Sequence, residues 1–163
     1  FGSLQNVDWN LHNMTAAFAG FVMTGSISWI YFDSSHFLER TKKTLTGHSI
    51  LYAHLIICMG FIILANVIRH AILQDLDQPY FSAMAVTGVV LYYLGKQIPY
   101  FTLFPPYRIN IIINSIVCVI ITAVSAFLPR VEYALIGMTL GLLFYSYSNV
   151  KWTISKDVSE YLK

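Results

Sequence analysis

His54 is the first residue to ask about. It sits within a long uncharged run, positions 44–68, together with His48 and Tyr52. An ionisable side chain inside such a run is a functional candidate by default. His48 and Tyr52 are four apart and share one helical face. His54 falls about 120° away from His48. Its chemistry is a proton relay or a solute contact, and the plain reading beside it is a neutral histidine hydrogen-bonded to a neighbouring helix. Asn66, in the same run, and Asn114, in another apolar stretch, are uncharged polar residues. They suit hydrogen bonds between helices, each contributing about 0.6 kcal/mol. Asp33, Glu39 and Arg40 flank a short charged segment and read as solvated charge.

Other chemistries lack their residues. Bis-histidine haem needs two histidines at similar depth on facing helices; His12 and His70 lie near one face and His36 and His48 near the other. A retinal-type attachment needs a deep lysine, and Lys96 reads as lying at a helix end. Ser-His-Asp sets, paired carboxylates, H-E-x-x-H and phosphate-cradling glycine loops are absent from the sequence. Cys58 and Cys118 sit in apolar runs and read as reduced, buried thiols. No cofactor and no enzymatic activity are expected.

The elements that must position these residues follow from composition. The chain has 163 residues, 56% hydrophobic and only 11% charged, with a mean hydropathy of +0.61. Soluble domains carry roughly 25% charged residues. So few charges cannot coat a water-facing surface, and the net charge of +2 is too small to indicate a nucleic-acid partner. The charges delimit five uncharged runs, which predict spans at about 9–32, 44–70, 78–98, 109–129 and 132–150. Each is close to the roughly 20 residues a bilayer requires, and open strands would leave amides unpaired in lipid. The fold expected is all-α: one polytopic membrane bundle of five transmembrane helices over residues 1–163. Loops are expected from Ser34, over Gln74–Pro79, over Pro99–Tyr107 and at Pro129.

Orientation follows the basic residues. Arg40, Lys42, Lys43, Lys96, Arg108, Lys151, Lys156 and Lys163 fall on one side. Arg69 and Arg130 alone fall on the other, beside Asp75, Asp77 and Glu132. This places the N-terminus outside and the C-terminus in the cytoplasm. Trp9, Trp29, Tyr31, Tyr80, Tyr100 and Trp152 fall near the expected interfaces. Gly137 and Gly141 form a G-x-x-x-G suited to helix packing, with Ala16 and Gly20 a weaker version. Asn13-Met14-Thr15 matches a glycosylation sequon close to the expected membrane surface.

Trp29-Ile30-Tyr31-Phe32-Asp33 at the end of the first span, followed by Tyr52-Ala53-His54 and then Gly60 and Ala65, resembles the bacterial low temperature requirement A (LtrA) membrane-protein family. Gly88-Val89-Val90-Leu91-Tyr92 with Leu94-Gly95 is similar to a further stretch of that family. Two departures are Ile56, where the family favours proline, and Tyr93, where it favours leucine. The resemblance is to the C-terminal half of a family member, which implies a partner in further transmembrane helices as well as the lipid bilayer of a bacterial plasma membrane. It singles out Trp29, Tyr31, Asp33, Tyr52 and His54 and brings no reaction with it. The functions expected are therefore transport or conduction of a small solute or ion, with His54, Asn66 and Asn114 facing a shared cavity; alternatively a structural or interaction subunit of a membrane assembly; or, with least support, a membrane-embedded redox protein.

Overall fold

The computed structural model describes residues 7–39, 46–103, 105 and 108–149. Among them are five α-helices: α1 (Leu11–Glu39), α2 (Gly47–Leu73), α3 (Gln78–Leu103), α4 (Arg108–Ala126) and α5 (Val131–Asn149). Three segments are long and apolar enough to cross a membrane: Leu11–Phe32, Gly47–Leu73 and Arg108–Ala126.

Local signals set the helix ends. Asn10 accepts from the Asn13 amide at 2.9 Å, satisfying a donor that the first turn of α1 cannot bond internally. Thr46 does the same for Ser49 at the start of α2. Gln74 ends α2 in the left-handed conformation (φ 52°) and donates its backbone N–H to the His70 carbonyl. Pro79 stands in the first turn of α3, where its missing N–H costs nothing.

Two boundaries differ from expectation. Helix α1 does not stop at Phe32 but runs through Ser34 and Ser35 to Glu39. Helix α3 does not stop before Pro99 but carries it inside the helix to Leu103. Proline removes one backbone bond near the helix end and bends more than it breaks when neighbouring helices hold the segment; Pro99 itself is buried.

Each helix packs on its neighbours in sequence, and α1 closes on α5. Five helices in a ring make α1 and α5 parallel, so their first turns adjoin. His12 near the start of α1 donates to Glu132 at the start of α5 at 2.9 Å. The core runs from Ala16, Met23 and Ile30 through Leu64, Val67, Phe81, Val89 and Tyr92 to Leu135, Met138 and Tyr145.

The most extensive contact joins α2 to α3. A Cβ on Gly60 would sit 2.8 Å from the Tyr92 nitrogen, and one on Gly95 would sit 2.8 Å from both the Ala53 carbonyl oxygen and the Ile57 nitrogen. The backbones therefore touch, which is how small residues let helices associate where water cannot drive them together. Gly137 and Gly141 serve α5 against α4, facing Ser125 and Ile121. Gly20 faces Ile68 across the α1–α2 contact.

Candidate functional site

Helix α3 buries a stripe at three- and four-residue steps: Phe81, Ala85, Val89, Tyr92, Lys96, Pro99 and Leu103. One member is a lysine. Lys96 is only 6% exposed. Its Nζ donates to the Tyr145 hydroxyl at 3.3 Å and lies 4.3 Å from that ring's centroid. A cation over an aromatic face is attracted by the ring quadrupole. The Tyr100 ring lies 6.0 Å away on the other side.

Gln97, next along α3, extends this cluster. Its amide nitrogen donates to Tyr145 at 2.6 Å and to Ser115 of α4 at 2.8 Å. The Tyr145 hydroxyl thus accepts from two residues of α3, and Gln97 links three helices. Beside them lies Cys118, whose thiol donates to the Gly141 carbonyl at 3.6 Å. These are contacts between helices, and burial strengthens the ones made by Lys96 and Tyr145.

An aromatic chain leads away from this cluster. Tyr145 meets Tyr93 at 4.6 Å between centroids, Tyr93 meets Tyr92 at 5.4 Å, and Tyr92 stacks on Phe61 at 5.6 Å. Phe61 meets Tyr31 edge-on at 6.3 Å, and Tyr31 meets the His54 ring edge-on at 6.0 Å. Tyr92 also donates to the Ile27 carbonyl at 3.3 Å, tying α3 to α1.

The residues singled out in sequence separate into two groups. Tyr31 and His54 come together where α1 meets α2. Trp29 and Tyr52 point outward, 71% and 57% exposed. Residues two apart in a helix diverge by about 200°, so W-x-Y and Y-x-H can each place only one ring at the contact. Asp33 lies on α1, and its side chain is outside the described residues.

The expected shared cavity does not form. His54 is exposed, and its Nδ1–H donates to the Ile50 carbonyl one turn back at 2.8 Å. Asn66 is exposed and donates to the Ile62 carbonyl, likewise one turn back. Asn114 is half-buried on α4. Polar side chains in helices can close their bonds on the preceding turn in this way, and they then have no need of a partner helix. Two smaller readings also change. Cys58 is exposed on the outward face of α2, while Cys118 is buried. Asn13 of the sequon is buried, with its amide nitrogen donating to the Asp8 carbonyl.

A second polar group lies at the opposite end of the bundle. Glu132 is buried, takes the His12 bond and lies 4.0 Å from Arg130. Nearby, on the α2–α3 connection, a hydrogen bond from His70 holds the Asp75 carboxyl below the usual carboxylate range. Among the described residues, no three His, Cys, Asp or Glu side chains cluster as a metal site.

The architecture is thus an all-α bundle with membrane-span-like helices and a polar core on α3 and α5. The family described as bacterial low temperature requirement A protein (LtrA) matches residues 2–146, and the chain belongs to it. No curated protein and no solved structure matches the chain.

Proposed function

We propose that the chain is a polytopic protein of a bacterial plasma membrane, with all five helices spanning, its N-terminus outside and its C-terminus in the cytoplasm. Large apolar side chains point outward on every helix, as Phe21, Ile62, Leu94, Ile120 and Leu140 do. Helices α3 and α5 are less apolar because their polar residues face inward: Ser82, Lys96 and Gln97 on one, Glu132, Thr139 and Ser148 on the other. An apolar exterior around a polar interior suits lipid as the solvent.

Its activity, in this reading, is transport or conduction of a small solute or ion, with Lys96 and Tyr145 as the contact residues. The observation that carries it is the burial of Lys96 inside the bundle. A buried ionisable group in a membrane protein is a functional candidate by default, and solute and ion pathways are among the roles such groups take. A cation there favours solutes bearing negative charge. The test is flux through liposomes containing the full chain, with chloride, phosphate and acetate as probes. Flux lost in Lys96→Met while thermal stability holds supports the reading. Flux equal in Lys96→Met and wild type, or no flux of any probe, defeats it.

A structural subunit is the second reading. It is favoured by the small buried share of α2 and α4, whose outward faces further helices could cover. The mass of the particle in mild detergent separates the two: a discrete assembly supports a subunit, and a monomer favours the first reading.

A further inference from the structure

Between α3 and α4 lies a groove of about 660 Å³ open to the surface of the bundle. Leu94, Ile98 and Phe101 form one wall and Ile112, Ile116 and Ile120 the other. Gln97 and Ser115 lie between the walls, already bonded to each other at 2.8 Å. The lining therefore asks for an apolar occupant and not for a hydrogen-bonding one.

Length identifies that occupant. On α4 the lining runs from Ile111 to Ile120, about 13 Å at the helical rise. Half of a bilayer's hydrocarbon core is about 15 Å. A lining one leaflet long with apolar walls suits one acyl chain of a lipid in that leaflet.

Charge identifies the other end of the ligand. Arg108, exposed at the first turn of α4, stands at the mouth. Its guanidinium lies 4.8 Å from the centroid of Phe101, a groove residue, and its Nε donates to the Phe101 carbonyl at 2.8 Å. These contacts fix a planar cation at the level where a groove one leaflet deep meets the headgroups. Arginine's forked donors suit phosphate oxygens.

We propose that the α3–α4 groove binds an anionic phospholipid of the surrounding leaflet, one acyl chain lying between the walls and the phosphate on Arg108. This rests on the membrane placement proposed above and is independent of solute movement. The test places the full chain in nanodiscs of equal phosphatidylglycerol and phosphatidylcholine, then counts by native mass spectrometry the lipids that stay bound on detergent release. Phosphatidylglycerol retained about fivefold over phosphatidylcholine is expected, the effect of one basic residue near an anionic surface. Arg108→Gln removes the preference, Ile116→Trp fills the groove and lowers retention of both lipids, and Arg69→Gln at the opposite end changes neither. Equal retention of the two lipids overturns the proposal. So does a preference that survives both Arg108→Gln and Ile116→Trp, or a second copy of the chain bound in place of lipid. Failure to enter the nanodisc overturns this and the membrane placement together; entry without headgroup preference overturns the groove alone.

Discussion

The outward face of α2 and the interior between α3 and α5 both carry polar side chains, and they satisfy them in opposite ways. On α2, His54 and Asn66 each bond to a carbonyl of their own helix. In the interior, Lys96 and Gln97 of α3 bond to Tyr145 of α5, and Gln97 also bonds to Ser115 of α4. The first arrangement costs the bundle little if a side chain is removed. The second ties three helices through one amide, that of Gln97. Polarity inside an apolar segment is therefore a poor guide to function until the partner is known.

The comparison can be broken most severely at the backbone contact beneath it. Gly95→Val is expected to cost about 3 kcal/mol or more, because the added atoms meet main chain that has no rotamer to yield; thermal melting in detergent would show it, and a melt like wild type would refute the close approach. Tyr145→Phe comes next, at about 1–3 kcal/mol, since it removes the acceptor that Lys96 and Gln97 share. Lys96→Met is expected to fall within about 1 kcal/mol of wild type, or to exceed it, because an apolar chain of similar volume needs no partner. That pair of melts sharpens the contrast: the tyrosine holds the cluster together and the lysine uses it.

His54→Ala should cost about 1 kcal/mol or less, the scale of one edge-on ring contact. A larger loss would move the important region back to α2. The smallest effect concerns acid. Asp75 titrates below its ordinary value because of His70, so the stabilisation it gives is complete above the unfolded carboxylate range and is lost as pH falls through the depressed folded value. Its side chain is 42% exposed, so solvent screening keeps the effect small. Asp75→Asn should flatten the melting temperature against pH in that acid window, and an unchanged profile would remove His70 as the cause.

Charge spacing made the five helices legible, since Lys and Asp mark where apolar runs end. It also misled. Lys96 closed the third run and so read as a loop charge near Pro99. The signal that would have corrected it is periodic: Val89, Tyr92, Lys96 and Pro99 fall on one face. The interior could not be read beyond that, because Tyr145 lies 49 residues from Lys96 and only the ring of helices brings them together. The resemblance singled out Tyr31 and His54, which meet, together with Trp29 and Tyr52, which point outward, because a two-residue step in a helix points to opposite sides.

The glycine contact of α2 with α3 has a mechanical consequence. A joint made of main chain against main chain has no alternative set of side-chain poses to move between. It has a single fit, and sliding by one turn would drive Cβ atoms into the facing backbone. These two helices make a keel for the molecule. Any rearrangement of the bundle has to be carried by α1, α4 and α5 moving around it.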